Sequence, residues 1–168
     1  MTWQIWLLPI LTVVTTVVLS FPVGRYLAWL MNGEYRAPRW LRWLEGLLDT
    51  GPQDWKQYTV ALLLFNTLMF VFGFAVLALQ PYLGLNPDDK KMLAPITIFN
   101  TAVSFLTNTN LQHYAGEQHL SYFSQVFVIC WKQFHTPAIG LAALVAVTRG
   151  LRGDKHLGNF YVDLWRGT

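Results

Sequence analysis

Cysteine and charge are both scarce in this sequence. The single cysteine, Cys130, stands in an apolar run, which excludes an internal disulfide and a thiolate-rich metal site and reads as a small buried hydrophobe. Charged residues make up 12% of the 168, about half of what a soluble domain carries, whereas 54% are hydrophobic and eight are tryptophan. Such a chain is suited to lipid, and its net charge of +3 is too small and too scattered to point to a nucleic-acid partner. A glycine-rich phosphate loop is missing, and no acid is paired for proton transfer, so neither ATP chemistry nor hydrolysis is expected of this chain. The first two hydrophobic segments contain no histidine, and His119 and His135 would lie about 24 Å apart on one helix. That separation removes facing axial ligands for a haem or metal centre, and no cofactor is expected. There is no internal repeat and no low-complexity segment. Residues 1–24 carry no charge and their apolar character continues to residue 30, so the first segment reads as a retained span rather than a cleaved signal.

What is present is hydrophobic length. Three segments exceed the roughly 20 apolar residues a helical crossing needs: residues 1–31, 56–82 and 120–148. The first carries Pro9 and Pro22, which a membrane helix tolerates as kinks, and the third is interrupted by Lys132. Orientation follows from lysine and arginine in the short connections. Arg36, Arg39, Arg42 and Lys56 follow the first span, and Arg149, Arg152, Lys155 and Arg166 follow the third. Between spans two and three there are only Lys90 and Lys91, beside Asp88 and Asp89. The expectation is an outside N-terminus and a cytoplasmic C-terminus, with residues 149–168 as an inner tail. Tryptophans at both ends of the first span suit the two interfacial belts. Within residues 36–50, positions 40, 41, 44, 47 and 48 share one helical face and positions 39, 42, 45 and 49 the other. This predicts a short helix lying on the inner membrane surface; a docking helix for a partner subunit has the same pattern.

The chemistry is concentrated between spans two and three, in the uncharged stretch 92–116. Pro95 suits the first turn of a helix, and residues 95–106 would extend about 18 Å, roughly half the membrane. A helix of that length followed by the polar residues 107–116 predicts a half-helix that enters the membrane and returns as loop. An amphipathic helix lying flat on the outer surface is the competing reading. Non-helical backbone survives at membrane depth only where protein covers it or where it lines water. The C-terminal end of the half-helix favours a cation. Thr107, Asn108, Thr109 and Asn110 offer carbonyl, hydroxyl and amide oxygens but no carboxylate, a ligand set suited to a weakly hydrated monovalent ion rather than a divalent one. Asn108 and Asn110 also tolerate left-handed backbone better than other non-glycine residues.

Asn100-Thr101-Ala102-Val103-Ser104-Phe105-Leu106-Thr107-Asn108-Thr109-Asn110, then Gly116-Glu117 and Leu120-Ser121-Tyr122-Phe123-Ser124-Gln125, closely resemble the first pore loop and following helix of the potassium-binding A subunit of Kdp-type potassium-transporting ATPases. Trp55-Lys56-Gln57-Tyr58, Leu85-Asn86-Pro87 and Gly158-Asn159-Phe160-Tyr161-Val162-Asp163-Leu164 extend the resemblance over about the whole chain. The resemblance implies an all-α integral membrane protein of the prokaryotic inner membrane, with one of four helix–pore loop–helix repeats preceded by an extra first helix. It further implies that potassium is bound by Thr107, Asn108, Thr109 and Asn110, with Gln112 at the filter mouth; Glu117, read from its position alone, is either a cap at the head of the third span or a cation attractor at the filter mouth. The ion would pass to a separate ATP-hydrolysing P-type subunit, with a small single-span subunit and membrane lipid as further partners.

Two features depart from that pattern. One repeat cannot encircle an ion, so the remaining pore repeats are needed, and the chain is expected to be an N-terminal fragment, a truncation or one piece of a split subunit. A non-conducting structural or assembly membrane protein is the alternative. The second departure is Lys132, twelve residues into the third span, where an unpaired charge costs at least about 2.5–3.5 kcal/mol. It is expected either to modulate ion passage as an intramembrane charge or to pair with another part of the full subunit, or else to be satisfied by a local carbonyl or to stand as a deprotonated amine.

Overall fold

The computed structural model describes residues 3–111 and 113–168. The chain divides into two compact units, Met1–Trp43 and Leu44–Thr168. Among the described residues all regular elements are helical apart from one isolated bridge between Gln53 and Gly158.

The first unit holds α1 (Trp3–Met31), with Pro9 and Pro22 inside it, and the start of α2 (Arg39–Leu48). From Trp6 to Met31, α1 is long and apolar enough to cross a membrane. Its hydroxyls turn inward: Thr12 donates to the Leu8 carbonyl at 2.8 Å, Thr16 to Thr12 at 2.7 Å and Ser20 to Val17 at 2.7 Å. The surface offered to lipid therefore carries no unsatisfied hydroxyl donor at these positions.

The second unit is built on two further spans. α3 (Trp55–Leu79) continues through the 3-10 turn Gln80–Tyr82. It starts at a capping box: the Gln57 N–H donates to Asp54 Oδ1 at 2.8 Å and the Asp54 N–H donates to Gln57 Oε1 at 3.0 Å. α4 (Pro95–Leu106) begins with proline in its first turn, as the sequence predicts. The short α5 (Gly116–His119) ends where Leu120 is extended, so Glu117 lies in the first turn of α5 rather than at the head of the third span. That span is opened instead by Ser121, whose hydroxyl accepts from the Ser124 N–H. It runs as α6 (Tyr122–Ser124), a π-helical stretch Gln125–Cys130 and α7 (Trp131–Leu151), together a 30-residue span.

Residues 149–168 do not form a trailing tail. α8 (Phe160–Gly167) folds back along α7, and Gly167 lies against Ala138, whose nearest atoms would be 3.4 Å from a Cβ at that position, an ordinary packing contact. The reason is local chemistry. Ala138, Ala142 and Ala146 make a smooth strip on α7, and Phe160 and Leu164 pack onto it together with Tyr58 of α3. Arg149 grips Asp163 through both nitrogens, at 2.5 and 3.1 Å, and the Tyr58 hydroxyl lies 3.1 Å from the same carboxylate. Arg166 pairs with Glu45. The reversal between α7 and α8 is fixed by Asn159, whose amide donates to Asp49, Thr50 and Gly51, and by Gly158 at φ 98°, where a side chain would meet the Arg149 guanidinium.

At the other end of the unit, Gln80 is fully buried and makes four hydrogen bonds. Its amide nitrogen donates to the carbonyls of Lys91 (2.5 Å) and His119 (3.0 Å), and its oxygen accepts from the Ser121 N–H (3.2 Å) and the Ser124 hydroxyl (3.1 Å). One side chain thus ties the end of α3 to the approach to α4 and to the start of the third span. Val76, Leu77, Ile98, Leu120 and Val128 form the apolar core beneath it. Tyr114 packs against this cluster, and burial pushes its phenol above the usual tyrosine range.

Candidate functional site: the loop at the end of α4

α4 packs between α3 and α7 with Ile98, Thr101, Ala102, Ser104 and Phe105 buried. Its descent can be followed along the third span. Ile98 belongs to the cluster around Val128, the Ala102 carbonyl lies 3.5 Å from Lys132 Nζ, and Asn108 Oδ1 accepts from the Thr136 hydroxyl at 3.3 Å. Thr136 is at the midpoint of the 30-residue span Tyr122–Leu151. The end of α4 therefore reaches the middle of the membrane-crossing helices. It is a re-entrant half-helix, not a helix lying flat outside.

Beyond Leu106 the chain turns on a single anchor, Ser104. The N–H groups of Thr109 and Asn110 donate to the Ser104 carbonyl at 2.9 and 3.3 Å. The Ser104 hydroxyl accepts from the Leu111 N–H at 2.8 Å and faces the Leu111 carbonyl at 3.1 Å. Thr107 bonds back to the Val103 carbonyl through both its N–H (2.9 Å) and its hydroxyl (3.0 Å). The geometry is possible because Asn108 and Asn110 adopt φ of 56° and 54°, the left-handed region that asparagine tolerates. The side chains add two ties, Thr107 Oγ1 to Thr109 Oγ1 at 2.8 Å and Asn110 Nδ2 to Asn108 Oδ1 at 3.3 Å.

Thr107, Thr109 and Asn110 thus commit their amide protons to α4. Among the described residues, no hydrogen bond uses the backbone oxygens of Thr107, Asn108, Thr109 or Asn110, and all four residues are exposed. A concentration of carbonyl oxygens at the negative end of a helix is suited to coordinating a cation.

The other expected site residues are placed differently. Gln112 lies outside the described residues. Glu117 is exposed on α5 and lines a separate hollow of about 400 Å³ with Tyr114, Gln125 and Gln133; no hydrogen bond or ion pair joins it to residues 107–110. Lys132 is buried, 1% exposed, and its ammonium takes the local carbonyl of Ala102. Three contributors carried no signal that spacing could reveal. Ser104 is one of several small polar residues in α4, Gln80 is one amide in an apolar run, and Gly73 matters only through its closeness to Lys132 Nζ.

Three apolar spans with a half-helix and a cation-suited loop at mid-membrane define a helix–pore loop–helix membrane protein. The profile of the family described as potassium-transporting ATPase A subunit matches residues 10–168, and the chain belongs to that family. It is 40% identical over 158 residues to the potassium-transporting ATPase potassium-binding subunit of Bacteroides fragilis, covering 89% of this chain and 28% of that protein. It is 50% identical over 127 residues to the subunit of the same name from Pseudomonas aeruginosa (74% of this chain, 22% of the relative). With that of Variovorax paradoxus it shares 41% over 181 residues (100% and 31%). The chain thus spans less than a third of the length of these curated relatives.

Proposed function

We propose that this chain supplies the first quarter of a potassium-selective filter in an ATP-driven uptake system. Thr107, Asn108, Thr109 and Asn110 bind external potassium, and the ion then passes to the ATP-hydrolysing subunit. One observation carries this reading: the N–H groups of Thr107, Thr109 and Asn110 turn to Val103 and Ser104, and among the described residues no hydrogen bond uses the four successive carbonyls of residues 107–110. Exposure of all four residues fits a surface that three further pore repeats cover. Glu117 contributes negative potential at longer range. The small single-span subunit and lipid complete the surroundings.

The same reading orients the protein in a prokaryotic inner membrane. The connection of residues 80–94 and α5 lie on the outer side, and the Asn159 clasp with residues 149–158 lies on the cytoplasmic side, where the arginines and lysines concentrate. The N-terminus is outside. α8 then points from the cytoplasmic side back towards the membrane interior.

The test is Asn110→Lys in the assembled transporter. A cation fixed at the filter should raise the potassium concentration needed for half-maximal ATPase activity at least tenfold, with the complex still assembling. An unchanged potassium dependence would refute the filter assignment.

A further inference from the structure

Lys132 is the buried lysine of this protein that has no acid beside it. Among the described residues, no ion pair includes it, and its one hydrogen-bond partner is the Ala102 carbonyl at 3.5 Å. The side chain crosses from α7 through a slot between α3 and α4. The slot exists because position 73 is glycine: a Cβ there would collide with Lys132 Nζ and stand 2.9 Å from Cε. Val128 closes the same slot on the α7 side. One turn further along, Thr136 ties the Lys132 carbonyl (2.9 Å) to Asn108 Oδ1 (3.3 Å), so the residue carrying the ammonium and the filter loop are held in one register.

Ala102 belongs to the last turns of α4, where backbone carbonyls point along the axis towards residues 107–110. The five residues from Ala102 to Thr107 correspond to about 7.5 Å of helix rise. The partial negative charge at the end of a helix is about half an elementary charge. A full positive charge on the Ala102 carbonyl is larger than that and opposite in sign. Burial keeps water from screening it, and salt does not reach it.

We propose that Lys132 is a fixed intramembrane cation, seated by Gly73, that weakens the hold of the filter on its ion and so sets the working affinity. The proposal rests on residues 107–110 binding a cation. It assigns to Lys132 a sign: the charge opposes binding, whereas a residue that only props the loop would favour it. An ion that is held less tightly leaves the filter more readily, so the same charge favours release of potassium into the pathway. At about 10 Å and an effective dielectric constant of about 20, removing one unit charge changes ion affinity by roughly tenfold to twentyfold.

The experiment compares wild type, Lys132→Met and Lys132→Gln in the assembled transporter that contains this chain. Two readouts are taken, the potassium concentration for half-maximal ATPase stimulation and direct equilibrium binding of potassium. Both neutral variants should lower both concentrations about tenfold, with the maximal rate equal or reduced. Gly73→Ala keeps the lysine but displaces its ammonium, and should shift affinity in the same direction by less. Half-saturation that is unchanged or higher in both neutral variants overturns the proposal. So does failure of both to assemble, which would make Lys132 a folding residue. A wild-type complex without any potassium dependence would instead overturn the filter reading itself, and the Lys132 proposal with it.

Discussion

Replacing Ser104 with alanine isolates the contribution of one hydroxyl to the shape of the loop after α4. The Ser104 hydroxyl meets both the N–H and the carbonyl of Leu111, at 2.8 and 3.1 Å, and among the described residues no other hydrogen bond takes that N–H. Ser104→Ala leaves the backbone of α4 intact, because alanine is the better helix former. The cost therefore falls on the loop alone. Losing one hydrogen bond and leaving a part-buried amide unsatisfied costs about 1–3 kcal/mol, which corresponds to a roughly 5- to 150-fold rise in the population of the opened loop. Hydrogen–deuterium exchange on the complex reads this directly. The Leu111 amide should lose protection by that factor, while those of Ile98 and Ala102 in the helix body stay unchanged. If the open loop does not bind, the potassium concentration for half-saturation rises by the same factor, and Ser104→Thr, which keeps the hydroxyl, recovers most of it. Undiminished protection of Leu111 in Ser104→Ala would refute the reasoning, because it would mean that the left-handed residues hold the loop without the clasp.

Three further outcomes follow from the packing. Gln80→Leu strips partners from two carbonyls, an N–H and a hydroxyl at once; it should destabilise the protein by about 3–5 kcal/mol, seen as a lowered midpoint in a detergent thermal-aggregation assay. Arg149→Met leaves Asp163 as a buried carboxylate without its cation, at a cost of about 3–5 kcal/mol, and the double change Arg149→Met with Asp163→Leu should recover most of the loss in the same assay. Asp54→Ala removes the capping box of α3 and should cost about 1 kcal/mol, with amide exchange accelerated only in the first turn.

Hydrophobic length made the three spans legible in the sequence, and half that length made α4 legible. The left-handed preference of asparagine, which the sequence places at positions 108 and 110, is where the backbone uses it. The contributions of Ser104 and Gln80 were not legible, because a serine or glutamine in an apolar helix has the same appearance whether it bonds its own turn or another element. The lysine at 132 was visible as an expense, but its seat was not. Gly73 lies 59 positions away, and nothing in its neighbourhood marks it as a slot. α8 was overlooked for a different reason. Its eight residues are too short and too mixed to read as a membrane helix, and only the alanine strip on α7 and the Arg149 clamp make it pack. Residues 149–168 read as a cytoplasmic tail because charge counting assigns sides, not depth.

The π-helical stretch Gln125–Cys130 sets the angular phase between two halves of one span. Ser121 and Ser124 must face Gln80, while Lys132 and Thr136 must face Ala102 and Asn108. Winding the same six residues as α-helix would regularise the hydrogen bonding, yet swing everything beyond the stretch by about 100° relative to its Tyr122 end. Lys132 would then leave the Gly73 slot for lipid, and Asn108 would lose its tie to Thr136. The third span therefore keeps a poorer helix so that both ends can address the same half-helix, and its length in residues is as constrained as the identity of the side chains it presents.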